Sequence, residues 1–131
     1  MAPRLLIIDD EETLLFLYQQ ILEPEGYDLR LVSSGSPQVM DLDRFSPDVI
    51  ILDYHVGRSG QNIPLWQQLK ADLRTSAIPL ILCTADANAL YAERDLLREA
   101  KVHVVLKPFD ICAFLATVRL ALQEASPFSA A

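Results

Sequence analysis

Five short apolar runs recur along the chain at similar intervals: Leu5–Ile8, Tyr27–Val32, Val49–Leu52, Pro79–Cys83 and Val102–Leu106. The first, third and fourth are nearly continuous in Ile, Leu and Val, the pattern of strands covered on both faces. The second alternates, with Tyr27, Leu29 and Leu31 set against Asp28 and Arg30, which predicts an edge strand with one wetter face. Between the runs the apolar spacing becomes helical. Leu14, Leu15, Tyr18, Ile21 and Leu22 make one stripe, ended by Pro24 and Gly26. Leu65, Trp66, Leu69 and Leu73 make a second, with Pro64 in its first turn; Leu90, Tyr91, Leu97 and Ala100 make a third, and Phe114, Leu115, Val118 and Leu122 a fourth. Ser36–Phe45 is a weaker helical segment, with Ser34 or Ser36 as its cap and Pro37 in the first turn.

The strand-and-helix alternation repeats five times. Parallel strands joined by right-handed helical crossovers are the common way to pack it, so the expected fold is α/β: a five-stranded parallel sheet with helices on both faces, doubly wound. A length of 131 residues fits one domain, taken as residues 1–125, with 126–131 (SPFSAA) as a flexible tail or the start of a linker.

Composition narrows the partners. With 18 acidic against 11 basic side chains the net charge is −7, which disfavours direct contact with nucleic acid or an anionic membrane and suits a cation site. No apolar stretch approaches a membrane span, and MAPRLLIIDDEE reaches acidic residues too early for a signal peptide. Two cysteines, Cys83 and Cys112, form neither a disulfide framework nor a zinc spacing; both read as small buried side chains, and a cytoplasmic location is expected.

Ligands on open parallel sheets bind beyond the carboxyl ends of the strands. Those ends carry Asp9 and Asp10 (strand one), Asp53 (strand three), Thr84 (strand four) and Lys107 (strand five). Clustered carboxylates repel one another, by roughly 4 kcal/mol for a pair at ~4 Å and an effective dielectric near 20. A hard divalent cation removes that cost, and Mg²⁺ suits carboxylates, waters and a phosphate oxygen. Asp53 can then act as ligand and as nucleophile toward phosphorus. Lys107 adds a point charge and Thr84 a hydroxyl, the positioning groups that phosphoryl transfer requires.

The stretches LLIIDDEE (Leu5–Glu12), PDVIILD (Pro47–Asp53), IPLILCTA (Ile78–Ala85) and VLKPF (Val105–Phe109), in this order, resemble the receiver domain of bacterial two-component response regulators, of the chemotaxis-receiver kind. The resemblance spans nearly the whole chain and implies the strand order 2-1-3-4-5. It also implies that Asp9 and Asp10 are the acidic metal pair, Asp53 the phosphoacceptor, Thr84 the switch hydroxyl and Lys107 the phosphate-binding lysine beside a cis Pro108. His55, two residues past the acceptor, would offer its backbone carbonyl to the metal. The implied donor is a histidine kinase or phosphotransfer protein, with an output domain or effector downstream.

Two departures stand out. After Asp53 the run is Tyr-His-Val-Gly-Arg-Ser-Gly, with Gly57 where the family usually has proline; and Val104 replaces the aromatic residue often found three positions before the lysine. The loop after strand three is therefore remodelled, and a ring coupled to Thr84 is absent.

Plainer readings exist for single residues. Asp9 and Asp10, followed by Glu11 and Glu12, suit a helix N-terminus; Thr84 is a strand former; Asp41, Asp43 and Asp48 are solvated or turn residues; His103 is a strand-edge residue; Trp66 and Tyr91 are packing residues. None of these explains why four strand ends share one chemistry. The leading expectation is a phosphorylation-dependent signalling switch, not an enzyme beyond its own phosphorylation and dephosphorylation. The phosphoryl group would bias the region around Thr84, with His55 and Asp86 flanking the path of attacking water. The alternatives are a receiver-like interaction module that does not use phosphate and a small Mg²⁺-dependent phosphohydrolase, the latter disfavoured by the little room left for a cap.

Overall fold

The computed structural model describes residues 2–33, 45–56, 64–107 and 110–125. Its strands are β1 (Arg4–Ile8), β2 (Asp28–Val32), β3 (Val49–Asp53), β4 (Leu80–Thr84) and β5 (His103–Leu106), and its helices α1 (Glu12–Leu22), α2 (Leu65–Ala71), α3 (Ala87–Ala92), α4 (Arg94–Glu99) and α5 (Ile111–Ala125). The five strands form one sheet in the order β2-β1-β3-β4-β5, with every pair parallel. The doubly wound 2-1-3-4-5 fold expected from the hydrophobic runs and the resemblance is the fold observed, and each strand lies within one residue of its predicted bounds.

Period-two alternation along the strands builds two cores, one on each face of the sheet. Leu5, Ile7, Val49, Ile51, Ile81 and Cys83 face α1 and α5, where Leu15, Tyr18, Leu22, Phe114 and Val118 complete the packing. Leu6, Ile8, Ile50, Leu52, Leu80 and Leu82 face the other way, onto Trp66, Leu69, Leu90 and Leu97. The three strands read as doubly covered are buried almost throughout, whereas β2 alternates exposed and half-buried positions, as an edge strand does. The order reverses between β1 and β3, so a crevice opens at their carboxyl ends.

Local chemistry sets the helix ends. α1 runs into a short 3-10 turn, Glu23–Glu25, where Pro24 suits the tight start; Gly26, at φ +89, adopts the left-handed conformation that closes it. Pro64 stands immediately before α2 rather than within its first turn, and its carbonyl accepts from Gln67 and Gln68. α2 stops at Ala71 because Asp72 turns to extended backbone and takes the Arg74 amide on its carboxylate. Leu73 therefore falls off the apolar stripe to which its spacing assigned it and is 93% exposed.

Other expectations need correction. The single helix read over Leu90–Ala100 is two short helices meeting at Glu93. Tyr91 is exposed, with the Arg94 guanidinium 4.0 Å from its ring centroid, while Trp66 is buried as expected. Cys83 is buried, but Cys112, in the first turn of α5, is exposed. Asp48 is more than a solvated turn residue: its carboxylate accepts the Arg4 amide at 2.8 Å and ties the start of β3 to that of β1. The helix read over Ser36–Phe45, apart from Phe45, lies outside the described residues, as do Asp41, Asp43, Gly57, Pro108 and the tail 126–131. Among the described residues no helix is long and apolar enough to cross a membrane.

Candidate functional site

The crevice at the β1–β3 reversal gathers the residues that the strand ends presented. Asp9 and Asp10 follow β1, Asp53 is the last residue of β3, Thr84 the last of β4, and Lys107 follows β5. One carboxylate oxygen from each of Asp9, Asp10 and Asp53 lies within 4.8 Å of the others. Asp9 is buried and Asp10 exposed, with Asp53 between them in burial, so the cluster forms a wall open to solvent on one side. A set of three carboxylates, all oxygen donors, fits a small hard cation such as Mg²⁺ that retains water on its open side.

Neighbouring groups orient the Asp9 and Asp53 carboxylates. Asp9 Oδ1 accepts the Glu11 amide at 2.9 Å, and its own amide donates to the Val32 carbonyl of β2. The Lys107 ammonium donates to Asp9 Oδ2 at 3.2 Å and lies 3.8 Å from Asp53 Oδ2. Lys107 is held there because its amide donates to the Thr84 carbonyl at 2.8 Å, which extends the β4–β5 pairing by one residue. Burial raises the Asp53 pKa above the ordinary aspartate value; nearby Asp9 adds to the rise, while the His55 amide and Lys107 oppose it.

Thr84 is buried, and its Oγ1 accepts the Asp86 amide at 3.1 Å. His55 Nε2 lies 3.4 Å from the same oxygen. The contact between His55 and the acidic cluster runs through its amide, which donates to Asp53 Oδ1 at 3.1 Å. The Asp86 carboxylate caps α3 by accepting the Ala89 amide at 3.0 Å. A cleft of about 480 Å³ opens over these groups, lined by Glu11, Leu14, Asp53, His55, Asp86 and Lys107 among others. Glu11 and Leu14 were read from the sequence as helix residues and not as part of the site. Their signal was positional, since the residues following the acidic pair start α1 and must border the same crevice.

Outside the site, burial pushes the Cys83 thiol up to about 11, so it stays protonated and unreactive at neutral pH. His103 sits at the edge of the sheet with its ring 3.0 Å from the Glu124 carboxylate, away from the crevice. Val104 is 40% exposed on β5 and carries no ring.

A parallel sheet of this order with a crevice at the β1–β3 reversal defines a doubly wound, flavodoxin-like fold. Residues 5–119 match the family model of the response regulator receiver domain, and the chain belongs to that family. It is 33% identical over 128 residues to the phosphate regulon transcriptional regulatory protein PhoB of Rhizobium meliloti (strain 1021), covering 97% of this chain and 55% of that protein. It is similar also to the DNA-binding response regulator MtrA of Mycolicibacterium smegmatis (strain ATCC 700084 / mc(2)155), at 29% identity over 95% of this chain and 52% of that one. Among solved structures it resembles the signal receiver domain of a signal transduction histidine kinase from Syntrophus aciditrophicus, with a TM-score of 0.80 and 27% identity over 96% of this chain and 94% of that chain. The chain spans about half the length of the two regulators it matches. Receiver domains serve phosphorylation-dependent two-component signalling as switches rather than as conventional enzymes, and they typically bind Mg²⁺ at an acidic pocket.

Proposed function

We propose that Asp53 accepts a phosphoryl group from a histidine kinase or phosphotransfer protein while Asp9, Asp10 and Asp53 hold Mg²⁺, and that residues 1–125 form the unit that does so. An Asp53 carboxylate oxygen forms a bond to phosphorus as the donor's P–N bond breaks. The departing imidazole nitrogen keeps the electron pair and takes up a proton from solvent. Bound Mg²⁺ supplies charge to neutralise the phosphoryl oxygens. Lys107 holds another of those oxygens, and Thr84, whose oxygen already accepts from Asp86, turns its proton toward a third. His55 would offer its backbone carbonyl to the same cation. The observation that carries this reading is the convergence of Asp9, Asp10 and Asp53 within 4.8 Å, with the Lys107 ammonium 3.8 Å from Asp53.

Incubation with Mg²⁺ and a small acyl phosphate, followed by intact-mass measurement, tests it. A long-lived single phosphoryl adduct, abolished by chelator, is expected. No adduct in Mg²⁺ would favour an interaction module, and steady turnover of many phosphate esters would favour a phosphohydrolase. Downstream, an output domain or effector protein reads the modified state; the two free cysteines support a cytoplasmic setting.

The His55 ring touches Thr84 and borders the cleft through which water must reach the phosphorus. His55→Ala is therefore expected to speed loss of the phosphoryl group severalfold. Asp86→Asn, which keeps the α3 cap, is expected to alter the same rate less. Unchanged lifetimes in both variants, followed by mass after donor removal, would sink this role.

A further inference from the structure

The residue after the acceptor reaches a place that the chemistry of the site does not require. Tyr54 is 4% exposed, packed in the core on the α2–α4 side of the sheet. Its amide donates to the Cys83 carbonyl at 2.9 Å, which fixes the Asp53 loop against β4. Its hydroxyl donates to the Glu93 carboxylate. Glu93 is the joint between α3 and α4: at φ −105 and ψ 11 it leaves helical geometry, and its amide is shared between the carbonyls of Ala89, at 3.3 Å, and Leu90, at 3.2 Å.

Nothing in the local sequence demands this break. Ala87–Glu99 reads ANALYAERDLLRE, without Pro or Gly and rich in good helix formers. Helices of six residues are too short to persist alone, so tertiary contacts decide whether this stretch is one helix or two. The side of Tyr54 away from Glu93 leads back to the site. The His55 ring meets the Tyr54 ring edge-on, with centroids 5.4 Å apart at 90°, and His55 Nε2 lies 3.4 Å from Thr84 Oγ1.

We propose that Tyr54 and Glu93 couple the state of the Asp53 loop to the α3–α4 joint, through the contacts Thr84–His55–Tyr54–Glu93. This rests on the reading of Asp53 as the phosphoacceptor. A phosphoryl group at Asp53 brings additional negative charge beside Thr84 and draws its hydroxyl proton inward. With that proton no longer given to His55 Nε2, the ring leaves Thr84, its edge-on hold on the Tyr54 ring is released, and the Tyr54 hydroxyl leaves the Glu93 carboxylate. With that tether gone, the helix-forming sequence closes the joint toward a single continuous helix. The two arrangements of the joint are the bistable element that a coupling claim requires.

Amide exchange over residues 87–100, read by mass spectrometry on the full chain with and without acyl phosphate and Mg²⁺, tests the proposal, with intact mass recorded on the same samples. In the wild type, phosphorylation is expected to slow exchange around Glu93 by about fivefold or more, the low end of ordinary allosteric coupling. Tyr54→Phe keeps the packed ring and removes the donor; Glu93→Leu removes the acceptor. Both are expected to form the adduct yet show the same exchange with and without it. Glu93→Gln retains an acceptor oxygen and is expected to restore the response. A wild-type adduct with no change at the joint, or an undiminished response in Tyr54→Phe and Glu93→Leu, overturns the coupling and leaves phosphoacceptance standing. Absence of the adduct in the wild type overturns both together.

Discussion

In metal-free buffer, Lys107→Met is expected to lower stability by about 3 kcal/mol, and Mg²⁺ to restore most of the loss. Asp9 is only 1% exposed, and Lys107 supplies the cation nearest to it, at 3.2 Å, while also reaching Asp53 at 3.8 Å. Met preserves the length of the stem and its packing, so the substitution removes charge rather than volume. What remains among the described residues is a buried carboxylate that accepts the Glu11 amide and lies beside a second carboxylate. Breaking one side of a buried pair costs about 3–5 kcal/mol, and the partly open Lys107 places the effect at the lower end. For a domain of this size the loss corresponds to a fall of roughly 10 °C in Tm. On the proposed reading Mg²⁺ would bring its charge to the same carboxylates, so its addition should raise the Tm of the variant further than that of the wild type. Equal shifts in the two proteins would show that Lys107 and the cation do not share the Asp9–Asp53 cluster.

Asp53→Asn should do two opposite things: abolish the phosphoryl adduct and stabilise the metal-free protein. The first follows because an amide oxygen is no nucleophile toward phosphorus at neutral pH, and no adduct should be measurable by mass under conditions that modify the wild type. The second follows from the raised Asp53 pKa, whose main cause is burial and whose second source is Asp9. Burial makes the folded chain hold the Asp53 proton more tightly than the unfolded chain does. Below the ordinary value of 3.8 both states are protonated and the side chain contributes no penalty. As pH rises from there through the higher folded value the wild type loses stability, and above it the loss is complete. The variant lacks this penalty, so its advantage should open with rising pH and then stay constant, reduced in size by the His55 amide and Lys107, which favour the anion. Thermal melts in chelator across that pH range check the sign. A gap that closes as pH rises would mean that the His55 amide and Lys107 together outweigh burial and that Asp53 is stabilised as an anion.

Both predictions concern residues that were legible before any coordinates. Asp9, Asp10, Asp53, Thr84 and Lys107 could be placed together because hydrophobic runs locate strand ends, and a parallel sheet puts all carboxyl ends on one edge. Alternation also marked β2 as an edge strand, and continuous apolar runs marked β1, β3 and β4 as covered on both faces. Where the reading failed, apolar periodicity was overruled by local turn chemistry, by position within a helix or by a contact distant in sequence. Leu73 completes a helical stripe on paper, yet Asp72 finds a turn with Arg74 and the helix ends first. Ala87–Glu99 has the composition of one helix but is divided at Glu93, where the carboxylate meets a tyrosine 39 residues away. Cys112 resembles Cys83 in its apolar surroundings, but its place in the first turn of α5 turns it to solvent.

In the sequence the acidic crevice is a set of residue types at strand ends; in the fold it is a geometry of three carboxylates and one ammonium. Strand position and residue chemistry are local properties, so the order of amino acids was enough to specify fold class, sheet edge and candidate nucleophile. The pairing of Lys107 with Asp9, the contact of His55 with Thr84 and the reach of Tyr54 to Glu93 each join segments far apart along the chain. Their distances depend on how strands and helices pack against one another, which no single segment encodes, and so only the folded arrangement decides them.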